Sequence, residues 1–208
     1  MGAVVVSVNV GKPRTVEWQG RLVTSGIWKE PVDGPVEVAG VNLAGDDQAD
    51  RRVHGGADKA VYAYAAEDHE WWAATTGPLA PATFGENLTT SGIDLRSACI
   101  GDRWRVGTAV LEIAQPRQPC FKLGMKMGDE QFPGRFEAAG RPGAYLRIIT
   151  PGTIAAGDGV EIEPAESPAV ALRELVKPTL DLDLLEQIAE DVRVPEGWRR
   201  SAARALGR

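Results

Sequence analysis

The sequence predicts a mainly β fold, a closed or nearly closed β-barrel interspersed with short helices and followed by a three-helix unit. Three observations predict it. Over the first two-thirds, short runs of β-branched and aromatic residues are broken by Gly, Pro and Asp about every ten residues. Few segments of that region carry helical periodicity, as expected of a barrel built from many short strands. After Pro164 the pattern turns to helix caps and one-sided apolar faces. The chain therefore divides at about residue 165, into a β domain over 1–164 and a helical extension over 165–208.

Taken in order, Val4 to Val10 reads as the first strand, Arg14 to Trp18 as the second and Val36 to Leu43 as the third. Lys59 to Ala63 follows the polar loop Arg51-Arg52-Val53-His54-Gly55-Gly56 as the next strand. Ala66 to Thr75 has helical composition, and Trp71 and Trp72 are expected to pack on the barrel. Asp102 to Val106 and Ala109 to Gln115 form a hairpin across Gly107-Thr108. Cys120 to Met127 is a short helix, while Asp129 to Arg141 carries no interpretable pattern. Tyr145 to Ile149 and Gly159 to Glu163 complete the strands. In the tail, Ser167-Pro168 caps a helix over Ala169 to Val176. Asp181 to Ala189 and Glu196 to Leu206 supply two more.

The chain of 208 residues is long enough to bury roughly 70% of its unfolded surface without disulfides or structural zinc. Its net charge of −6 argues against nucleic-acid or membrane-surface partners, and no apolar run approaches a membrane span. The N-terminus lacks a basic region and a cleavage site, so the expected compartment is the cytoplasm. The charge is unevenly spread. Residues 103–126 carry Arg103, Arg105, Arg117, Lys122 and Lys126 against Glu112 alone, which suits an anionic small ligand. Residues 161–196 carry ten acidic side chains, more simply a solvated helical surface than a docking face.

Three constellations could carry chemistry. In Gln115-Pro116-Arg117-Gln118-Pro119-Cys120-Phe121-Lys122 two prolines stiffen the chain before a cysteine that opens a helix. The helix dipole and the nearby Arg117 and Lys122 favour its thiolate, a soft ligand for thiophilic metals. Residue by residue, an inert buried thiol is equally compatible. Cys99, in an uncharged setting, reads as core. In Asp50-Arg51-Arg52-Val53-His54-Gly55-Gly56-Ala57-Asp58-Lys59 the glycines permit an anion nest, and the cations with His54 suit phosphate. A solvated turn fits the same spacing. In Phe84-Gly85-Glu86-Asn87 the Asn87 amide offers the donor and acceptor that a heterocycle edge requires, or a strand-edge residue. His69 is a surface or packing histidine. Nucleotide-binding glycine motifs and the esterase elbow are missing.

In order along the chain, HGGADKAVYAY, FGENLTTSGID, CIGDRW and QPRQPCFKL resemble the MOSC domain, named after the C-terminal domain of molybdenum-cofactor sulfurase. The likeness runs from about Val41 to Glu163, and the helical tail resembles the extension of the small bacterial YiiM-type branch. The resemblance implies a β-barrel that binds the molybdenum–pyranopterin cofactor, with Cys120 as the protein ligand of the metal. It implies reduction of N-hydroxylated bases or amidoximes, N–OH to N–H, as a detoxifying activity. By motif position and charge, Arg117 and Lys59 would meet the cofactor phosphate and Asn87 the pterin. Gly55, Gly56, Gln118 and Lys122 would complete the contacts, and His54 would hold phosphate or donate a proton. Because the sequence holds no flavin, nicotinamide or iron–sulfur motif, electrons would come from a separate reductase. The chain is expected to be a monomer or homodimer. A non-catalytic carrier of cofactor or sulfur is the competing reading.

Overall fold

The computed structural model describes residues 2–49 and 55–208. Thirteen strands are arranged in three sheets among these residues. In chain order they are β1 (Val4–Val10), β2 (Arg14–Trp18), β3 (Arg21–Ser25), β4 (Glu30–Pro31), β5 (Val36–Ala39) and β6 (Asn42–Leu43). A 3-10 turn (Ala57–Lys59), β7 (Val61–Ala65), helix α1 (Ala66–Thr76) and β8 (Leu88–Ser91) follow. Next come β9 (Arg103–Val106), β10 (Ala109–Pro116), α2 (Phe121–Met127) and α3 (Phe132–Ala138). The rest are β11 (Ala144–Thr150), β12 (Gly152–Ile154), β13 (Val160–Glu163), α4 (Leu172–Leu175), α5 (Leu182–Glu190) and α6 (Glu196–Ala205).

The principal sheet has eight strands in the order β13-β9-β10-β11-β7-β8-β1-β4. All its pairs are antiparallel except β7 with β8, which α1 joins as a crossover. The expected closed barrel is not seen as a continuous ladder; what is seen is a sheet-dominated fold with several helices. The start of β1 nevertheless meets the approach to β13 at the opposite end of the order. Val4 bridges Gly159, and Val5 N donates to Asp158 O at 2.9 Å. Gly157 N donates to Val5 O at 2.8 Å and Val160 N to Ala3 O at 2.9 Å.

Alternation along the strands explains the core. Trp104 and Val106 of β9 point inward while Arg103 and Arg105 point out. Leu111 and Ile113 of β10 and Leu146 of β11 are fully buried beside them. A second, aromatic cluster gathers Tyr62, Tyr64, Trp72, Phe84, Phe132 and Phe136. It claims α3, the segment without an interpretable pattern: Phe132 and Phe136, four apart on one face, are both buried. Trp72 packs in this cluster as expected, stacked 6.0 Å from Phe136, but its neighbour Trp71 is 46% exposed.

Several boundaries differ from the sequence reading. The strand expected over Val36 to Leu43 is a tight hairpin of β5 and β6, because Gly40 takes φ 63° at its turn. Lys59 belongs to the 3-10 turn and not to a strand, so β7 starts two residues later. The helix expected from Ala169 shrinks to four residues. Ala171 is held extended by a bridge to Cys99, and Leu172 N donates to Ala98 O at 2.9 Å. Cys99 itself is only partly buried. The pairs β2–β3 and β5–β12, which the sequence reading lacked, are exposed or short.

The tail shares the main core. Val170, Leu172, Leu175, Ile188, Val194 and Ala202 are buried in the cluster that contains the strands' apolar faces. Asp181 caps α5, accepting from Leu184 N at 2.8 Å. Much of the tail's acidity is neutralised locally: Glu186 and Glu190 face Arg208, Asp191 faces Arg193, and Glu196 faces Arg200.

Gly143, just before β11, has φ 66°, and a β-carbon there would lie 2.5 Å from Ala63 O. Gly143→Ala is therefore expected to destabilise the protein by roughly 2 kcal/mol, read as a lower denaturation midpoint in urea at unchanged slope.

Candidate functional site

A cleft opens where the end of β10, the loop into α2, the 3-10 turn and the chain around Ser25–Lys29 converge. It holds about 730 Å³ of empty space including its open mouth. Its walls include Cys120, Arg117, Gln118, Lys122, Lys59 and Asn87. The structure thus brings six of the residues singled out in the sequence to one place. Gly55 and Gly56 lie in the turn leading to this wall and not on it. Gly56 has φ 92°, and its N–H is engaged by Gln48 Oε1 at 2.9 Å, so that amide is not open to an anion. His54 lies outside the described residues.

The local chain explains Cys120. Pro116 ends β10, Pro119 keeps the next residues extended, and Cys120 (φ −136°, ψ 174°) is the cap residue of α2. Its carbonyl accepts from Leu123 N at 2.9 Å, which leaves the thiol half-buried on the cleft wall. Lys59 stands close enough for the two side chains to interact electrostatically. Burial lowers the Lys59 pKa, against Asp58 and Cys120, which raise it.

Arg117 is buried and fixed. Its guanidinium donates to Phe84 O and lies over Tyr62, 4.9 Å from the ring centroid. Phe136 is 5.8 Å away on the aromatic side. A permanently charged group held among rings projects its field into the cleft without being free to move. Burial also raises the pKa values of Tyr62 and Tyr145, so both phenols stay protonated.

Asn87 is less available than its motif suggests. Its Nδ2 donates to Asp46 Oδ2 at 2.8 Å and to Asn9 O at 3.2 Å, and its Oδ1 accepts from Tyr62 N at 3.1 Å. Both amide protons are engaged within the protein, leaving one lone pair of Oδ1. Its neighbour Glu86 is fully buried and accepts from Ala82 N (2.7 Å), Phe84 N (3.0 Å) and Thr89 Oγ1 (3.2 Å). His69 is a packing histidine, its Nε2 3.2 Å from Glu86 Oε1 without hydrogen-bond alignment. Burial alone would raise the Glu86 pKa, but His69 and the surrounding donors hold it below the ordinary value.

Sequence reasoning missed Lys29, Asp46, Tyr62 and Tyr145, which also line the cleft. Lys29 is buried and paired with the Asp46 carboxylate, and burial lowers its pKa. Their segments are marked by glycines at close backbone approaches: a β-carbon would lie 2.6 Å from Asp47 O at Gly26 and 3.1 Å from Lys29 Cα at Gly11. Behind this wall Lys126 donates to Ile27 O at 3.0 Å and to Ala82 O. Burial, then Arg117 and Lys29, bring its pKa down to about 8 despite Glu86. Among the described residues no group of three His, Cys, Asp or Glu side chains could hold a metal by itself.

The profile of the MOSC domain matches residues 50–161, which include the turn before β7 and the cysteine loop. The chain belongs to the MOSC-domain family. The uncharacterised protein YflK of Bacillus subtilis is 38% identical over 202 residues, 95% of this chain and 91% of that one. YiiM of Escherichia coli is 35% identical over 143 residues, 66% of this chain and 63% of its own. A protein named reductase from Gibberella moniliformis is 34% identical over 148 residues, of which the match covers 26% of that longer chain. The crystal structure of YiiM from Geobacillus stearothermophilus superposes with a TM-score of 0.81 at 31% identity, over 98% of this chain and 99% of that one. This MOSC-domain protein is therefore YiiM-like in fold from end to end, tail included. No helix among the described residues is long and apolar enough to cross a membrane.

The buried cation gives a pH signature. Folding disfavours the charged form of Lys126, a cost present in full below pH 8 and relieved as pH rises toward the unfolded value of 10.5. Wild-type stability relative to Lys126→Met is accordingly expected to rise between pH 8 and 10.5 in urea titrations. A flat difference across that window would contradict the burial of the charge.

Proposed function

We propose that this MOSC-domain protein binds the molybdenum pterin cofactor in the cleft, with Cys120 as its protein ligand, and reduces N-hydroxylated bases or amidoximes to the corresponding N–H compounds. The observation that carries this reading is the convergence of a half-buried thiol with Lys29, Lys59, Arg117 and Lys122 on the walls of one cleft. The donor set fits such a group. A soft sulfur suits molybdenum, three lysines and a fixed guanidinium suit a phosphate, and the cleft also presents Tyr62 and Tyr145 to a planar heterocycle. A metal that brings its own sulfur ligands needs only one more from the protein.

When bound, the cofactor supplies a two-electron redox couple. The protein's part is placement and charge. Lys59 and Lys122 hold the phosphate, and Arg117 adds a positive field that does not move. Asn87 serves chiefly as frame, keeping Asp46 and the start of β7 in place and leaving one Oδ1 lone pair for the pterin. The Lys29–Asp46 ion pair adds a buried cation to the cleft wall. Overall, one N–O bond breaks, two electrons and two protons are taken up, and water leaves with the amine or amidine. A separate reductase provides the electrons, a requirement consistent with the chain's lack of nucleotide-binding motifs.

Protein from a cofactor-proficient host is expected to contain molybdenum and to reduce benzamidoxime with dithionite. Cys120→Ala should lower metal content and turnover by more than about 100-fold, beyond what loss of a supporting contact costs. Metal retained equally in both proteins would remove Cys120 from the ligand set. Metal without turnover in the wild type would favour a carrier.

A further inference from the structure

The geometry points to Trp198 as a positioning residue for the cleft, one that sets the Lys59 turn from the C-terminal helices through Gln115 and Asp58. Trp198 lies in α6, outside the stretch that matches the MOSC profile. Its Nε1 donates to Gln115 Oε1 at 3.0 Å, and Gln115 Nε2 donates to Asp58 O at 3.2 Å. Gln115 is itself buried at the end of β10, two residues before Arg117. Its amide therefore has one partner in the tail and the other in the turn.

A second tie runs beside the first. Arg147 of β11 donates through Nε to Asp58 Oδ1 at 2.5 Å and through Nη1 to Glu112 Oε1 at 3.0 Å. Its Nη2 donates to the carbonyl of Arg193, in the loop between α5 and α6, at 2.9 Å. The carbonyl and the carboxylate of Asp58 are thus fixed by chains of contacts that end in the tail. Asp58 immediately precedes Lys59 in a turn closed by Lys59 N donating to Gly56 O at 3.1 Å. On the far side Gln48 Nε2 donates to Lys59 O at 3.2 Å and Gln48 Oε1 accepts from Gly56 N. A 3-10 turn of three residues has little stability of its own. It is clamped between Gln48 inside and the tail-supported Asp58 outside, and Lys59 faces the cleft from between them.

The positioning inference rests on the proposed cofactor only for what Lys59 binds, so two measurements separate them. The first is hydrogen exchange of the backbone over residues 55–60, compared in wild type, Trp198→Phe and Gln115→Met. Trp198→Phe keeps an aromatic side chain but loses the donor together with part of the indole, so it is read beside Gln115→Met, which breaks the same hydrogen bond with Trp198 left whole. Exchange in that segment is expected to rise about fivefold, the worth of one hydrogen bond, while β10 and β11 stay protected and the melting temperature changes little. Gln115→Met severs both ends of the link and should do the same or more. Unchanged exchange over 55–60 in both variants would overturn the inference. The second is molybdenum content per chain for Trp198→Phe, Lys59→Met and the double variant. The loss in Trp198→Phe is expected to vanish when Lys59 is already absent. An equal loss in both backgrounds would overturn action through Lys59. Faster exchange in a protein whose wild type carries no molybdenum would leave the positioning role standing and refute the proposed cofactor.

Discussion

The cleft depends on one buried amide. Asn87 sits where the parallel pair β7–β8 meets β1, and its backbone and side chain together bind all three neighbours. Its N–H donates to Tyr62 O at 2.7 Å and its carbonyl accepts from Asn9 N at 2.6 Å. Its side chain adds Tyr62 N, Asn9 O and Asp46. In an interior where an unpaired polar group costs about 1–3 kcal/mol, such a junction is stable only when every member is satisfied. Through Asp46 the same junction fixes Lys29, and through Tyr62 it fixes the ring on which Arg117 rests. Lys29 and Arg117 are thus placed by the hydrogen bonds of one amide and by the Asp46 carboxylate it holds.

Burial sets the chemical character of these groups. Lys29, Lys59 and Lys126 all lose some of their affinity for protons to desolvation, while Arg117 stays charged because no guanidinium gives up its proton at ordinary pH. Their carboxylate partners are fewer and already engaged. Asp46 serves Lys29, Asn87 and Gly11 N, and Glu86 serves three donors of the 82–89 segment. The result is a wall of positive groups on a molecule whose net charge is negative. That contrast is local, and composition over the whole chain hides it.

How much of this could be read in the sequence varies with how local the cause was. The hairpin across Gly107-Thr108, the first strand and the helix expected over Asp181 to Ala189 rest on neighbouring residues, and they stand where alternation and helical periodicity place them. The clustering of Lys59, Asn87, Arg117, Gln118, Cys120 and Lys122 was legible from ordered motifs. Lys29 and Asp46 were not, because their role arises from a contact across 17 residues with no pattern in either segment. Helix α3 was hidden since its apolar face consists of two phenylalanines that acquire meaning only against Trp72 and Phe84. The helix expected after Ser167 failed for the opposite reason: a bridge to Cys99 overrode a good local cap. The closed barrel expected from many short strands is not seen as a ladder; β1 meets the approach to β13 through one bridge and a few backbone hydrogen bonds, which no single segment encodes.

The arrangement of β1 has a consequence for how the protein is made. Strand β1 pairs with β4 close by in sequence, but its ladder partner on the other side, β8, begins only at Leu88, and a further tie lies near Gly159. The clamp on the Lys59 turn is complete only once Trp198 has been made. An incomplete nascent chain therefore has no finished cleft to offer a ligand. A chain cut short before α6 carries the cysteine loop and the Lys59 turn but lacks the Trp198 contact that completes the clamp between them.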